Sequence, residues 1–582
     1  MFIHFKEEKK LKKLNRILFA GVSSILLVSI MASCGDNTSK STTGGSESLK
    51  TTADAGATSS DASGTDDTTE KNETGEMIEM DMFCVSAPHI IDWATNDFTL
   101  YMEEKTNIKW NFIQASDEAA PEKINLLLNS GDYPDVFMTQ VPDIAQYGIK
   151  EQILIPLDDL IPENMPNYWS YMQENPAYWN QQRQTDGHMY SLASVNICYH
   201  CRYFNKLWVN MDYIDEIGLG VPETTEEFKE VCQKFLELYP DGIPVTGSTT
   251  GWGEQFYNFL MGSFFTNPGG YSKDYLLTTP DGTVITAANQ DEYREFLRYM
   301  NDLYESGLLY DGGFTQNPDQ FRSLVNQPDS PCLFVASGAI ITYIDADLNP
   351  DLYKAFRVIA PLKGPDGTQI CTEFKYNDIQ ENKFVITDKC KYPEEALRWA
   401  DQFYTLEGSL KSNFGANLDG TDWELNPVGE VGLDGKAALY KLLNGYSTEP
   451  QNHDWQNYGL QFGTEENRFG EATDADVDIT LATGLEKLLL IETKEKCEPY
   501  AQNPDTQFDV LPQIKMTAEE SDAIQTISFE LEKYIIENLV AFINGHKDVE
   551  SDWDAYISGF DNIGLPQYLE VYQTAWDRQQ GK

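Results

Sequence analysis

The folded part of this chain opens with a strand, helix, strand, helix, strand order, and that order restricts the fold to a few architectures. Residues 78–84 and 108–112 alternate apolar with polar side chains, which is typical of half-buried strands, and a short helical stretch separates them. A second helix is predicted over residues 119–129, ending at the Ser-Gly-Asp of 130–132, and a third strand over 135–139. Strands connected through helices in this way form a parallel sheet with right-handed crossovers.

Two loops, residues 86–97 and 140–143, follow the carboxyl ends of predicted strands, and ligands of parallel sheets bind at such ends. Later in the chain the helices are easier to recognise, because two of them open with a capping box, a Thr followed three residues later by Glu. Helices and short strands alternate to the end, so the predicted class is α/β. The four clearest later helices begin at Thr224, Asp291, Pro393 and Thr517.

A basic segment and an apolar run of 16 residues, Ile17–Ala32, precede the folded part. The run is shorter than the roughly 20 residues that a permanent membrane helix requires, and together with the basic segment it indicates an export signal. Ala32 and Ser33 precede Cys34, which resembles the processing site of bacterial lipoproteins. The resemblance implies that residues 1–33 are removed and that Cys34 becomes a lipidated, palmitate-bearing N-terminus. An ordinary signal peptide with a chance cysteine is the alternative.

Residues 34–76 consist almost wholly of small, polar and charged residues, with Leu49 as the only large apolar side chain. Such a segment cannot bury enough apolar surface to fold. As a flexible chain it would reach roughly 35 Å. We interpret it as a tether between a lipid anchor and the folded part, although a disordered tail without a task has the same composition.

The formal net charge of −51 over 582 residues limits the partners of this protein. A field of that sign repels phosphate backbones, so nucleic acid is excluded as an expected partner, and a polyanionic ligand is disfavoured. Residues 77–582 exceed what one hydrophobic core supports, so two or more lobes are expected.

Eight cysteines follow Cys34, and they are dispersed instead of closely spaced as in a disulfide scaffold. Cys198 and Cys201 form the one C-x-x-C pair, without a second pair and without the helix start that redox motifs use. We interpret all eight as buried or idle thiols, with metal binding or redox chemistry of Cys198 and Cys201 as the alternative.

Eight fragments, taken in order, resemble the family 1 extracellular solute-binding proteins, and in particular the large lipoprotein branch that includes the alginate-binding proteins. Each fragment alone is a weak signal, but eight in the same order are specific. They are LLLNSGDYPDVFMT (126–139), LIPLDDLI (154–161), DGHMYSLA (186–193), IGLGVPETTEEFKEV (217–231), EYREFLRYMNDLYESGLL (292–309), VIAPLKGPDG (358–367), KYPEEALRWADQFYTLEGS (391–409) and MTAEESDAIQTISFELEKYI (516–535).

The resemblance implies a two-lobe periplasmic-binding-protein-like fold, in which each lobe is a mainly parallel sheet flanked by helices. Hinge crossings would join the first lobe, residues 77–197 plus 376–425, to the second, residues 198–375 plus 426–582. The resemblance also implies a monomer on the extracellular face of the cell membrane of a Gram-positive bacterium. Such a receptor captures a sugar, here an oligosaccharide, and delivers it to the permease subunits of an ABC transporter.

One departure from the alginate-binding branch concerns calcium. Those relatives have an acidic, Asn- and Gly-rich loop where this chain has only 239–244, Tyr-Pro-Asp-Gly-Ile-Pro. Two or three oxygen ligands remain there, and calcium takes six to eight. The alternation of acids at Asp474, Asp476 and Asp478 lacks the Gly and the distant Glu of an EF-hand loop. No metal site and no cofactor are therefore predicted.

The folded part contains no H-E-x-x-H, no G-x-S-x-G and no phosphate-binding loop, so no catalysis is predicted. Three alternatives stay open. A receptor for peptides or other small solutes would share the fold. A surface glycan-degrading enzyme would need only two carboxylates at a set separation. A sensory partner of a membrane kinase would bind the solute without importing it.

Sugar binding calls for flat aromatic faces and a few fixed polar groups, and these two properties select the candidate ligand contacts. Each candidate also has a structural interpretation, since a single Trp or Tyr is often a core residue and Asp132 follows the end of a helix. His89, Asp92 and Trp93 are candidates in the loop after the first strand, and Trp252 and Glu254 are candidates in a Gly-rich segment. Glu373 and Tyr376 lie near the return crossing. The remaining candidates are Asp132, Tyr343 and Trp455.

Overall fold

The computed structural model describes residues 77–581, apart from residues 271, 329, 347, 375–377, 445–449, 474–476 and 482–483. The signal peptide and tether predicted for residues 1–76, with Cys34, lie outside the described residues, as do Tyr376, Asp474 and Asp476. Among the described helices, none combines the length and the apolar character that crossing a bilayer requires.

The strands are β1 (Ile78–Val85), β2 (Ile108–Ala115), β3 (Val136–Met138), β4 (Ser191–Asn196), β5 (Leu207–Asn210), β6 (Ile243–Thr246), β7 (Leu276–Thr278), β8 (Val284–Thr286), β9 (Cys332–Ala336), β10 (Phe356–Val358), β11 (Ile379–Ile386), β12 (Trp423–Leu425), β13 (Tyr440–Leu442), β14 (Phe462–Gly463) and β15 (Asp509–Val510).

The α-helices are α1 (Asp97–Thr106), α2 (Ala120–Ser130), α3 (Ile161–Asn164), α4 (Pro166–Glu174), α5 (Pro176–Gln181), α6 (Met211–Ile217), α7 (Thr225–Leu238), α8 (Phe256–Met261), α9 (Asp291–Glu305), α10 (Pro318–Val325), α11 (Pro350–Ala355), α12 (Pro393–Asp401), α13 (Leu406–Phe414), α14 (Glu465–Phe469), α15 (Leu485–Lys496), α16 (Ala518–Ile543), α17 (Trp553–Ile563) and α18 (Leu565–Gln579).

The first large sheet has the strand order β14-β4-β11-β3-β1-β2. Its opening strands are parallel as the sequence predicts, with Ile78 opposite Ile108 and Val85 opposite Ala115. β11 alone runs against its neighbours β3 and β4. β11 is the strand by which the chain returns to this sheet, so it starts at the edge where the other strands end.

The second large sheet has the order β10-β5-β9-β6, and its entering strand is again the reversed one. β5 pairs antiparallel with both β10 and β9, whereas β6 and β9 are parallel. Only residues 197–206 separate the end of β4 from the start of β5. The carboxyl ends of the parallel strands of both sheets therefore lie at the edges that face each other across the crossings.

Separate hydrophobic cores surround the two sheets. The core of the first sheet includes Trp93, Trp399 and Trp455, and that of the second includes Phe228, Phe296 and Phe542. The long helix α16 begins at a capping box, in which Thr517 accepts from the Glu520 N–H while the Glu520 carboxylate accepts from the Thr517 N–H. Its apolar positions then recur on one face at helical spacing. The buried members of that face are Ile524, Leu531, Ile535, Leu539, Phe542 and Ile543.

Two phenylalanines on α16 allow a matched test of this packing. Phe542 is fully buried, whereas Phe529, on the same helix, is 72% exposed. We expect Phe542→Ala to lower the free energy of unfolding by about 3–5 kcal/mol, because it leaves a cavity in the core. Phe529→Ala should change it by less than about 0.5 kcal/mol. Denaturant titration measures both, and equal losses in the two variants would contradict the assigned burial.

Three chain segments cross between the sheets: residues 197–206, residues 359–378, and the stretch after β14. β14 pairs with β4 of the first sheet, although the sequence-based boundary assigns everything after residue 425 to the second lobe. α15 contributes Leu485, Leu488 and Leu489 to the core around the second sheet. We propose on this basis that the third crossing follows Gly463.

The interpretation of Cys198 and Cys201 as thiols is wrong, because these residues form a disulfide with a Cα–Cα distance of 5.3 Å. The pair occupies the first crossing, where a tight turn brings the two side chains together, and sequence spacing alone gave no indication of that turn. Six described cysteines are free thiols, and all but Cys390 are buried.

Candidate functional site

Polar and aromatic side chains from both sheets meet at the facing carboxyl edges, in a space that we call the cleft. The first sheet contributes His89 after β1, Asp117 after β2, Gln140 after β3, Lys383 in β11, and Tyr458 from the segment before β14. The second contributes Trp252 and Glu254 after β6, and Asp319 and Arg322 from α10. Electrostatic interactions connect the two sides, since Arg322 acts on His89 and Asp319 acts on Tyr458.

His89 presents an imidazole to the cleft. Its ring packs against Tyr458 with centroids 5.2 Å apart, and its Nε2 is buried without a hydrogen-bond partner among the described residues. Burial, and then the positive Arg322 guanidinium, lower the pKa of His89 below its ordinary value. At neutral pH the ring is therefore uncharged, with one nitrogen available to a ligand hydroxyl.

Thr139 ends β3 in a strained conformation, and sequence reasoning missed it. Its φ of 74° lies in the left-handed region, which a β-branched residue rarely adopts and which costs on the order of 1–3 kcal/mol. The Thr139 N–H donates to the Lys383 carbonyl at 2.7 Å, and its hydroxyl donates to the Tyr458 carbonyl at 3.0 Å. The strained residue thus fixes both neighbours at the cleft. The available signal was that Thr139 is the last residue of the strand predicted over 135–139.

Lys383, Asp117 and Gln140 form the polar part of the first-lobe wall. Gln140 donates to the Asp117 carboxylate at 2.5 Å. Burial lowers the pKa of Lys383, and the Asp117 carboxylate opposes that shift. Sequence reasoning also missed these three residues, because a charged or amide side chain in a loop has no periodic signature.

Trp252 is a partly exposed ring on a rigid support. It stacks on Phe204, with centroids 6.5 Å apart and an interplanar angle of 26°, and meets the edge of His200 at 5.8 Å. The Gly338 N–H donates to the Trp252 carbonyl at 2.9 Å, and a Cβ at Gly338 would lie 2.5 Å from the Trp252 ring. Only glycine at 338 allows this position of the ring, so the sequence around Trp252 holds it as a fixed aromatic face.

Glu254 lies two residues after Trp252 in the same loop and is 3% exposed. Its carboxylate accepts from the Ser248 hydroxyl at 2.6 Å. Burial raises the pKa of Glu254 from 4.5 to about 7, although the hydrogen bonds from Ser248 and Thr342 oppose the shift. Glu254 therefore supports the loop after β6 and changes its charge near neutral pH.

We expect a pH dependence of stability from Glu254. The folded protein keeps a proton here that the unfolded chain loses near pH 4.5. The resulting stabilisation is complete below that pH and is lost as pH rises through about 7. The Tm should therefore fall between pH 5 and pH 8 by a few degrees. A tenfold difference between the acid dissociation constants of the folded and the unfolded state corresponds to about 1.4 kcal/mol of stability. Thermal unfolding of Glu254→Gln should show a flatter profile, and parallel profiles of variant and wild type would contradict the assignment.

The structure places three predicted aromatic contacts in the cores instead of the cleft. Trp93 and Trp455 are 1% and 0% exposed, with ring centroids 4.8 Å apart, and the Trp455 indole donates to the Thr99 hydroxyl at 2.9 Å. Tyr343 is fully buried between Phe321 and Phe356. None of these rings has an accessible face, because loop residues beside a sheet also fold back onto its core.

Three predicted polar contacts have other positions. Asp92 is exposed and accepts from the Ala94 N–H and the Thr95 hydroxyl, each at 3.0 Å. Asp132 is exposed, just after the Gly131 that ends α2. Glu373 lies on the return crossing, 3.5 Å from the Arg202 guanidinium of the first crossing. Of the predicted contacts that the structure describes, His89 lies on the first-lobe side of the cleft, and Trp252 and Glu254 lie in the loop after β6 on the second-lobe side.

A second region between the lobes is a cavity of about 530 Å³ beside the cleft. Asp143, Gln184 and Asn382 line it from the first lobe, and the last precedes Lys383 of the cleft. Lys515, Glu532 and Tyr568 are among the residues that line it from the C-terminal segment. Ion pairs of Lys150 with Asp522 and of Lys515 with Glu381 connect the lobes here. The two lobes are therefore in direct contact beside this cavity.

Comparison with known proteins identifies the kind of molecule that has this cleft. A family model described as bacterial extracellular solute-binding protein matches residues 87–408. The chain belongs to this family. The match spans more than half of the chain and includes β2 to β11. It therefore contains all four strands of the second large sheet and four of the six strands of the first.

This solute-binding protein is 26% identical over 504 residues to the fructooligosaccharide ABC transporter substrate-binding protein FusA of Streptococcus pneumoniae serotype 4. The aligned region covers 83% of this chain and 86% of FusA. A structure of FusA in complex with kestose matches with a TM-score of 0.70 at 22% identity, covering 86% of this chain and 99% of FusA. The alginate-binding protein AlgQ2, solved without calcium ion, matches with a TM-score of 0.63 at 19% identity, covering 86% and 98%. These likenesses confirm the two-lobe α/β fold predicted from the sequence.

Proposed function

We propose that this solute-binding protein captures a neutral oligosaccharide by closure of its two lobes and delivers it to the permease subunits of an ABC importer, without catalysis. The observation that carries this proposal is that the two walls of the cleft offer complementary groups: a partly exposed Trp252 ring on one lobe, and on the other the His89 Nε2, which has no hydrogen-bond partner among the described residues. An aromatic face binds the C–H surface of a sugar ring, and a neutral imidazole binds its hydroxyls.

The charges around the cleft support a neutral ligand. Asp117 and Asp319 are accompanied there by Arg322 and Lys383. The described walls therefore carry charges of both signs and offer both hydrogen-bond donors and acceptors. The net charge of the chain, −51, adds a general repulsion of anions. The complexes of FusA with kestose and with fructo-nystose support the same class of ligand.

The N-terminal residues support a location for the protein at the membrane surface. Residues 1–33 have the pattern of a lipoprotein signal and residues 34–76 that of a tether, so we propose lipid anchoring through Cys34 on the extracellular face of the membrane. Confinement to the surface that holds the permease raises the effective concentration of the receptor there.

Titration calorimetry against three classes of ligand tests the proposal: kestose and fructo-nystose, alginate oligosaccharides, and short peptides, with buffer alone as the control. We expect a dissociation constant near micromolar, about 8 kcal/mol, for a neutral oligosaccharide. Binding of peptides alone, of alginate alone, or of nothing would overturn it. Release of reducing ends from a bound glycan would instead establish a hydrolase.

A further inference from the structure

Four cysteines lie at the crossings between the lobes, and two of them are free. The Cys198–Cys201 disulfide is in the first crossing, whereas Cys371 lies in the segment that becomes the return crossing, and Cys497 directly follows α15. Cys371 and Cys497 form a small buried cluster with Tyr203, and they are 5% and 1% exposed.

Backbone hydrogen bonds hold the two free cysteines side by side. The Cys371 N–H donates to the Tyr500 carbonyl at 2.9 Å, and the Tyr500 N–H donates to the Cys497 carbonyl at 2.9 Å. The two buried side chains belong to one cluster, and each shifts the pKa of the other: Cys497 raises that of Cys371, and Cys371 lowers that of Cys497. Two neighbouring thiols on segments already connected by their backbones have the arrangement from which a disulfide forms with little movement.

The surroundings make Cys497 the nucleophile of the pair. The hydrogen bond from Cys371 lowers the pKa of Cys497; burial opposes this, and the Lys206 ammonium lowers it further. Lys206 is itself buried and donates to the carbonyls of His200, at 3.0 Å, and Tyr203, at 2.5 Å. Thiolates, and not thiols, attack disulfides.

The other buried thiols provide the contrast. Burial raises the pKa of Cys84 and of Cys332 to about 12, and that of Cys232 well above its ordinary value. No neighbouring cation or thiol counters burial at these three positions in the described residues. They are therefore matched controls for Cys371 and Cys497.

A cavity of about 560 Å³ lies at the crossings and shares neighbours with the pair. It is lined by Tyr203, which belongs to the same buried cluster as the two cysteines, and by Glu498, which follows Cys497. Among the described residues that line it, the charged ones are four carboxylates and one guanidinium, from Glu373, Asp378, Glu465, Glu498 and Arg202. Such a lining favours a small cationic molecule over an anionic one.

We propose that Cys371 and Cys497 are a thiol–disulfide exchange site, oxidised by small cationic disulfides that enter through this cavity, and that the new disulfide stiffens the hinge. The Cys497 thiolate attacks one sulfur of the small disulfide, whose S–S bond breaks and releases one thiolate. The sulfur of Cys371 then attacks the Cys497 sulfur of the mixed disulfide, whose S–S bond breaks. The second small thiolate leaves and takes up the Cys371 proton. Two protein thiols and one small disulfide thus become one protein disulfide and two small thiols.

The position of this bond explains the stiffening. The Glu373 N–H donates to the Gln502 side chain at 2.6 Å, and the Phe374 N–H donates to the Arg202 carbonyl at 2.8 Å. The segment from Cys371 is therefore connected both to the chain after α15 and to the first crossing. A covalent bond at Cys371 would restrict opening of these contacts.

Peptide mapping under non-reducing conditions tests the site on the full-length protein, with cystamine as the cationic probe and glutathione disulfide as the anionic one. We expect a Cys371–Cys497 cross-link that forms at least tenfold faster with cystamine, while Cys84, Cys232 and Cys332 stay unmodified. Cys371→Ser should stop at a stable adduct on Cys497, whereas Cys232→Ser should behave as wild type. Equal rates with the two probes, cross-links between other cysteines, or no reaction would overturn the site.

Hydrogen–deuterium exchange of the ligand-free protein tests the stiffening. Peptides spanning the first and return crossings should exchange more slowly after oxidation in the wild type, and not in Cys371→Ser treated in the same way. Unchanged exchange in the oxidised wild type would overturn the effect on the hinge. Neither measurement depends on which solute the cleft binds.

Discussion

Replacing Trp252 with alanine is expected to weaken oligosaccharide binding about 30- to 150-fold, a loss of about 2–3 kcal/mol, while leaving the fold intact. Trp252 is a partly exposed ring of the cleft, and Phe204 and Gly338 hold it in place before any ligand arrives. A fixed aromatic face loses little conformational freedom on binding, so most of its contact area contributes to affinity. Titration calorimetry of the purified variant measures the change.

Trp179 is the matched control for this experiment. It is a partly exposed tryptophan in α5, packed against Trp169 at 4.8 Å and covered by Arg183, away from the cleft residues. Trp179→Ala should bind with unchanged affinity. Equal weakening in both variants would mean that binding depends on overall stability, and a Trp252→Ala protein with wild-type affinity would place the sugar elsewhere, with the cavity of about 530 Å³ as the next location to test.

Replacing Cys34 with serine is expected to release almost all of the protein from the membrane into the medium. The lipid that Cys34 is proposed to carry would be the attachment, since each buried CH₂ of an acyl chain contributes about 0.8 kcal/mol to membrane binding. Solute affinity of the released protein should equal that of the wild type, because the cleft residues follow the tether in the chain. Membrane fractionation and uptake of labelled solute measure the two effects, and uptake should fall with retention.

A serine at Cys84, the next cysteine along the chain, is the control for the change in sulfur chemistry. Cys84 is buried in β1, so Cys84→Ser should leave membrane retention unchanged. Full retention of the Cys34→Ser protein would show that the N-terminal segment anchors the chain by another means or that the assigned processing site is wrong.

The helices were predictable because their signals are local. The capping boxes at Thr224 and Thr517 formed with both of their hydrogen bonds, and α9 starts at Asp291 as the sequence indicates. The opening β1, α1, β2, α2 and β3 pattern also matched, since a two-residue period is visible within a few residues.

Only part of the cleft was predictable, and the reason is physical. His89 and Trp252 were selected by their position after a strand, and the structure places them after β1 and β6, at the facing edges of the sheets. The same rule selected Trp93, which packs against Trp455 in the core. An aromatic ring after a strand can turn toward the cleft or the core, and the choice depends on neighbours more than 300 residues away in the chain.

The sequence by itself determined the α/β class, the family resemblance, the signal pattern and the acidic charge, because each of these depends on composition or on local order along the chain. The tertiary structure decided which side chains meet, such as His89 with Tyr458 and Arg322, and which cysteines pair. It also located β14 in the first sheet, after the boundary that the sequence indicated. Such contacts depend on three chain crossings that bring distant segments together, and no local pattern of residues encodes the distance between two segments that meet only after the chain has folded.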